Sequence, residues 1–170
     1  MAMISNEDFA REVKGDRLRN LYQFTLLFCG GAGVLVFTFG FTLNRSEGIA
    51  GIVLMSLIAL AIGCNITRLL LLRDQVNAAA WSYSLSAIAA TAVLMTDNTA
   101  GFTQMIVFIL PVIVFLSGLL LAPSETFLMA AIASAVAVIS PNLLNLEAFT
   151  VGGSQLFAGF LVFLAAIFAV

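Results

Sequence analysis

The chain has 170 residues, 62% of them hydrophobic and 9% charged, with a net charge of -2 and a mean hydropathy of +1.12. An ordinary soluble domain is about 45–50% apolar and about 25% charged, so a soluble fold could not cover this much apolar surface. The balance fits an integral membrane protein with a single bundle, and it excludes a basic surface for nucleic acid. No histidine occurs, which removes imidazole as metal ligand, general base or phosphoryl acceptor. Cys29 and Cys64 show no CxxC or metal spacing and read as small buried residues.

Residues 1–20 are polar and amphipathic. Ser5 with Asp8 three residues on resembles a capping box. Phe9 and Val13 share a face, and Arg11, Lys14, Arg17 and Arg19 alternate with Glu7, Asp8, Glu12 and Asp16. The pattern predicts a cytoplasmic helix lying at the membrane surface and feeding the first span. That span is expected over residues 21–43, with Tyr22 and Phe24 at its entry. It is longer than a signal-peptide apolar core and lacks a cleavage site, so it stays as a membrane helix. Cys29-Gly30-Gly31-Ala32-Gly33, with Gly40 two turns on, makes a smooth patch suited to close helix packing.

Asn44-Arg45-Ser46-Glu47 is a tight connection, and a second span is expected over residues 48–70. Asn65 and Arg68 lie three apart on one helix face. They form a candidate intramembrane polar cluster, or else Arg68 snorkels to the headgroups. A third span, residues 76–96, carries Trp81 and Tyr83 near its start and many alanines, which make it slim enough for the bundle interior. A polar loop from Thr96 to Phe102 precedes a fourth span, residues 103–122, in which Pro111 predicts a kink. A fifth span, residues 125–141, is expected to start at Ser124 as N-cap and to break at Pro141. Asn142 to Ser154 reads as a loop turning at Gly152-Gly153, and a sixth span covers residues 154–170. That span has no polar flank, and a chain end within hydrocarbon is unfavourable, so the polypeptide is expected to continue past Val170.

The cations set the orientation. Arg11, Lys14, Arg17, Arg19, Arg68 and Arg73 fall on one side and Arg45 on the other. The expected fold is therefore all-α and polytopic, six transmembrane helices with both termini cytoplasmic. No catalytic constellation and no metal spacing occurs: Asp97, Glu125 and Glu147 each stand alone at loop positions. Proton-coupled transport is disfavoured, because the span interiors carry only Ser, Thr, Asn and Gln. The best recognition candidate is the outer end of spans three and four. There Asp97, Asn98, Phe102 and Gln104, with Pro111 deeper, combine polar groups, an aromatic ring and a kinked helix.

The stretch from Thr96 to Pro141 resembles the six-helix membrane module that begins many bacterial sensor histidine kinases, including the quinone-responding group. The resemblance lies in a polar turn ending in Phe102, the helix with Leu110-Pro111-Val112 and Ser117-Gly118-Leu119-Leu120-Leu121, a short turn, and an alanine-rich helix. That group's Gly-Gly-x-x-Asn-Pro-Phe turn is matched here at Phe102, and its helix proline at Pro111. Asp97-Asn98 and Ala100-Gly101 stand where the other turn residues would be. Similar anchors precede adenylyl and diguanylate cyclases. The resemblance implies a dimerising sensory input module in a bacterial cytoplasmic (inner) membrane. Any kinase or cyclase activity would belong to an output domain beyond Val170, and no cofactor is expected within the chain. A quinone or lipid ligand has no support from the residues. The alternatives are a structural accessory subunit of a larger membrane complex, and a small-solute carrier with matched halves.

Overall fold

A computed structural model describes residues 6–41, 47–96, 106–140 and 153–169. Over these the protein is all-α, with six helices and no strand. The helices are α1 (Asn6–Val36), extended by a π-helical turn (Phe37–Phe41), α2 (Glu47–Leu72), α3 (Val76–Leu94), α4 (Ile109–Gly118), α5 (Pro123–Ile139) and α6 (Gly153–Ala169). Two of them, α1 and α2, contain stretches long and apolar enough to cross a membrane. α4, α5 and α6 are shorter apolar helices.

The helices alternate in direction. Lys14 of α1 meets Asn77 at the start of α3, and Trp81 of α3 meets Glu125 at the start of α5. At the opposite end Ser140, just past α5, meets Ala92 near the end of α3. α4 and α6 run parallel: Phe108 and Phe157 pack edge to face at 6.4 Å, and Gly118 lies against Ala169. The tightest pairs are α2 with α3 and α4 with α6.

The core is built mainly by α3 to α6, with Leu18 of α1 fully buried in it. On α5 the buried positions Thr126, Met129, Ala130, Ala133 and Ala137 follow the spacing of a single helical stripe. Ala158, Val162 and Ala166 do the same on α6. The alanines of α3 have the predicted effect. Ala79, Ala80, Ser84, Ile88, Ala90 and Thr91 are all buried, around more than one face of the helix.

α3 is also the hydrogen-bonding post of the bundle. Tyr83 and Thr25 of α1 join their hydroxyls at 2.9 Å. Ser56 of α2 donates to the Ala90 carbonyl at 2.7 Å. Ser84 and Ser117 of α4 are 2.9 Å apart, and Ser140 donates to the Ala92 carbonyl at 2.6 Å. Ser117 has one proton and also lies 2.8 Å from the Ile113 carbonyl, so Ser84 supplies the proton between the two serines.

Several expectations are corrected. The surface helix over residues 1–20 and the first span are one helix that runs through Asn20 without a break. At Pro111 the expected irregularity lies one turn earlier: Ile106 is helical, Val107 and Phe108 form a turn, and α4 resumes at Ile109 with Pro111 as its third residue. Ser124 is not the N-cap of α5. Ala122 is, and Pro123 takes the first helical position, for which its fixed φ suits it. Of the glycine patch on α1 only Gly40 is used, where a Cβ would overlap Ala50; Gly30, Gly31 and Gly33 face open space. The close approach occurs instead at Gly63 of α2, where a Cβ would collide with Ser86.

Candidate functional site

The sequence-predicted recognition residues Asp97, Asn98, Phe102 and Gln104 lie outside the described residues. Pro111 is partly buried in the first turn of α4. Asn65 and Arg68 are both exposed and do not bond each other: the Asn65 amide donates to the Ala61 carbonyl of its own helix at 2.8 Å. Among the described residues no group of three His, Cys, Asp or Glu side chains could hold a metal ion.

The polar convergence lies elsewhere, where the N-terminal part of α1 meets the α2–α3 turn and the start of α5. The turn is built by Leu70 to Gln75. The Gln75 N–H reaches back to the Leu70 carbonyl at 3.0 Å, and the Asp74 N–H to Leu71 at 3.1 Å. These two bonds close a Schellman motif, which needs a left-handed residue. Asp74 supplies it, with φ 56°. Glycine is the usual occupant, but Asp tolerates this region better than most residues.

α1 clamps this turn. The Arg11 guanidinium donates to the Asp74 carbonyl, and one helical turn on Lys14 donates to the Asn77 side chain at 2.6 Å. Next to them Glu125, in the first turn of α5, accepts the Ala122 N–H at 3.1 Å and a bond from the Trp81 indole. Ala122 has no side-chain oxygen to complete a capping box, so only this half forms. Glu125 is thus not the isolated loop carboxylate that its position in the sequence suggests.

Lys14 precedes the apolar run that begins at Leu21. Burial lowers its pKa from the ordinary lysine value, and the charge of Glu125 pushes partly back. The amine therefore sits among three elements: its own helix, Asn77 of α3 and Glu125 of α5.

Beside the clamp opens a cleft of about 700 Å³ lined by Arg11, Lys14, Asp74, Gln75 and Asn77, among others. A smaller one of about 450 Å³ lies on the other side of Arg11, against Glu12, Asp16, Arg19 and Asp74. Neither was legible in the sequence, because Arg11 and Lys14 reach partners 63 residues away. The available signal was the density of charge ahead of Leu21, four cations among four carboxylates. At the far end a third groove of about 430 Å³, between α3 and α5, is lined almost wholly by apolar side chains such as Val93, Ile132, Val136 and Ile139.

Comparison with protein-family models, with curated proteins and with solved structures returns no match to the chain.

Proposed function

We propose that the protein is a six-span membrane input module, both ends cytoplasmic, that relays a membrane or extracytoplasmic cue to a cytoplasmic kinase or cyclase output. The single observation that carries this reading is the role of α3. It is hydrogen-bonded near both its ends, to α1 and α5 at Asn77 and Trp81 and to α5 again at Ala92. A cue that favours one packing at the Ser140 end biases the same helix that holds the Lys14 end. Such a cue acts only through its different affinity for two packings. All-α architecture, two helices of membrane-crossing length and an excess of cations at the Lys14 end are in keeping with it.

A second reading, a structural accessory subunit of a larger membrane complex, draws on the open face of Gly30, Gly31 and Gly33, where a neighbouring helix could approach closely. A carrier built from matched halves is less favoured. The first three helices pack most tightly through α2 with α3, whereas the last three do so through α4 with α6, which are not corresponding pairs.

Photo-cross-linking in cells decides between the first two. A photoreactive residue at Arg73, in the α2–α3 turn, is expected to capture a kinase or cyclase output domain. Capture only of other integral membrane subunits, and only from probes at Gly31, would replace the input-module reading with the accessory one.

A further inference from the structure

We infer that the cleft between the N-terminal part of α1 and the α2–α3 turn binds a phosphate group, and that its occupant is the headgroup of an anionic phospholipid. The inference rests on the membrane-embedded reading above, but not on signalling. It starts from the charges. Of the two clefts beside Arg11, the larger is lined by two cations, Arg11 and Lys14, against the one carboxylate of Asp74. The smaller has Arg11 and Arg19 against Glu12, Asp16 and Asp74, and Arg19 is already paired with Asp16 at 3.7 Å. Only the larger one carries a net positive lining, with Glu125 next to Lys14 but outside that lining.

Its cations are held in place and still have donors to give. A guanidinium carries five N–H donors and an ammonium three. In the structure Arg11 is fixed by its bond to the Asp74 carbonyl, and Lys14 by its bond to Asn77. Two anchored cations on one wall face the Gln75 and Asn77 amides on the other. The backbone adds to this. Val76, Asn77 and Ala78, the first turn of the 19-residue α3, line the same cleft, and Gln75 gives that turn no side-chain cap. Amides at a helix start favour a negative oxygen.

Position identifies the source of the phosphate. The cleft lies just ahead of the apolar run of α1, which leaves Phe24 and Leu27 exposed, 72% and 77%. A headgroup held by Arg11 and Lys14 leaves its acyl chains beside such side chains, and basic pockets between helices on the cytoplasmic side suit anionic lipids. Inorganic phosphate shares the headgroup chemistry but gains nothing from that apolar flank.

The test uses the full chain, delipidated and offered equal amounts of phosphatidylglycerol and phosphatidylcholine, with retained lipid measured by native mass spectrometry. Wild type is expected to retain phosphatidylglycerol in preference. The Arg11→Gln/Lys14→Gln variant should lose about tenfold or more of that preference. Asp74→Asn, which removes the one carboxylate, should increase it. Arg68→Gln, an exposed cation on α2, should leave it unchanged. Should the double variant fail to fold, Lys14→Gln, which leaves the Arg11 contact intact, must still lower the preference.

Absence of a preference in wild type, or an equal loss in Arg68→Gln, would overturn the site. In a parallel titration, inorganic phosphate should displace the lipid no better than chloride at matched ionic strength. Stronger displacement by phosphate would overturn the assignment to lipid in favour of a free-phosphate site. Alkaline carbonate extraction from native membranes tests the embedded reading separately, so the two failures are distinguishable.

Discussion

α1 and α3 are both apolar helices of the first half, and they are held in opposite ways. α3 is slim and buried, wrapped by its neighbours and bonded to α1, α2, α4 and α5. α1 leaves Phe24, Leu27, Phe28, Val34 and Leu35 exposed, and it is attached along one edge: polar contacts at Arg11, Lys14 and Thr25, the buried Leu18, Tyr22 and Cys29, and Gly40 against α2. Large side chains on one and small ones on the other make the difference. Bulk faces outward where the surroundings accept it, whereas a central helix must let other backbones come near.

The largest expected effect is at the α2–α3 seam. Gly63→Leu forces a side chain into Ser86 and should cost about 3 kcal/mol, near the upper end of overpacking penalties. Gly31→Leu on the open face of α1 should cost less than about 0.5 kcal/mol, as surface changes do. Unfolding in mixed micelles with rising dodecyl sulfate measures both; equal costs would erase the distinction between the two helices.

Next in size is Ser84→Ala, which removes the partner of Ser117 inside the core and should cost about 1 kcal/mol in the same assay. The Tyr83–Thr25 bond is weaker. A double-mutant cycle with Tyr83→Phe and Thr25→Val should give a coupling of about 0.6 kcal/mol. A coupling near zero would leave α1 held by its charged end, Leu18 and the Gly40–Ala50 contact.

Smaller still, and of opposite sign, Asp74→Gly relieves a left-handed residue and should stabilise by about 0.5 kcal/mol, read as a higher midpoint. Pro111→Ala, in the first turn of α4, should leave the midpoint within about 0.5 kcal/mol of wild type.

Element positions were legible because apolar run length and Pro/Gly punctuation are local signals. α2, α3, α5 and α6 begin within two residues of the expected positions, and the alanines of α3 announced its central place. What failed was also physical. Gly30 to Gly33 looked like a packing patch, but a glycine does not say whether anything approaches it. Pro111 signals an irregularity, but the turn itself falls at Val107-Phe108, one helical turn ahead of it. The Arg11, Lys14 and Glu125 convergence was invisible, since it depends on a turn and a helix start meeting α1 in space. The expected pocket residues Asp97, Asn98, Phe102 and Gln104 fall outside the described residues, so the comparison for them stops at the sequence.

The π-helical turn at Phe37–Phe41 has a further effect on α1. Its i→i+5 bonding winds more slowly than an α-helix, so residues within it drift out of phase with those before. Gly33 and Gly40, seven apart, would share a face on a regular helix, yet one is open and the other meets Ala50. That single slack turn therefore helps set which residue of this helix meets α2. Shortening it by one residue is expected to turn Gly40 away from Ala50 and loosen that contact with α2.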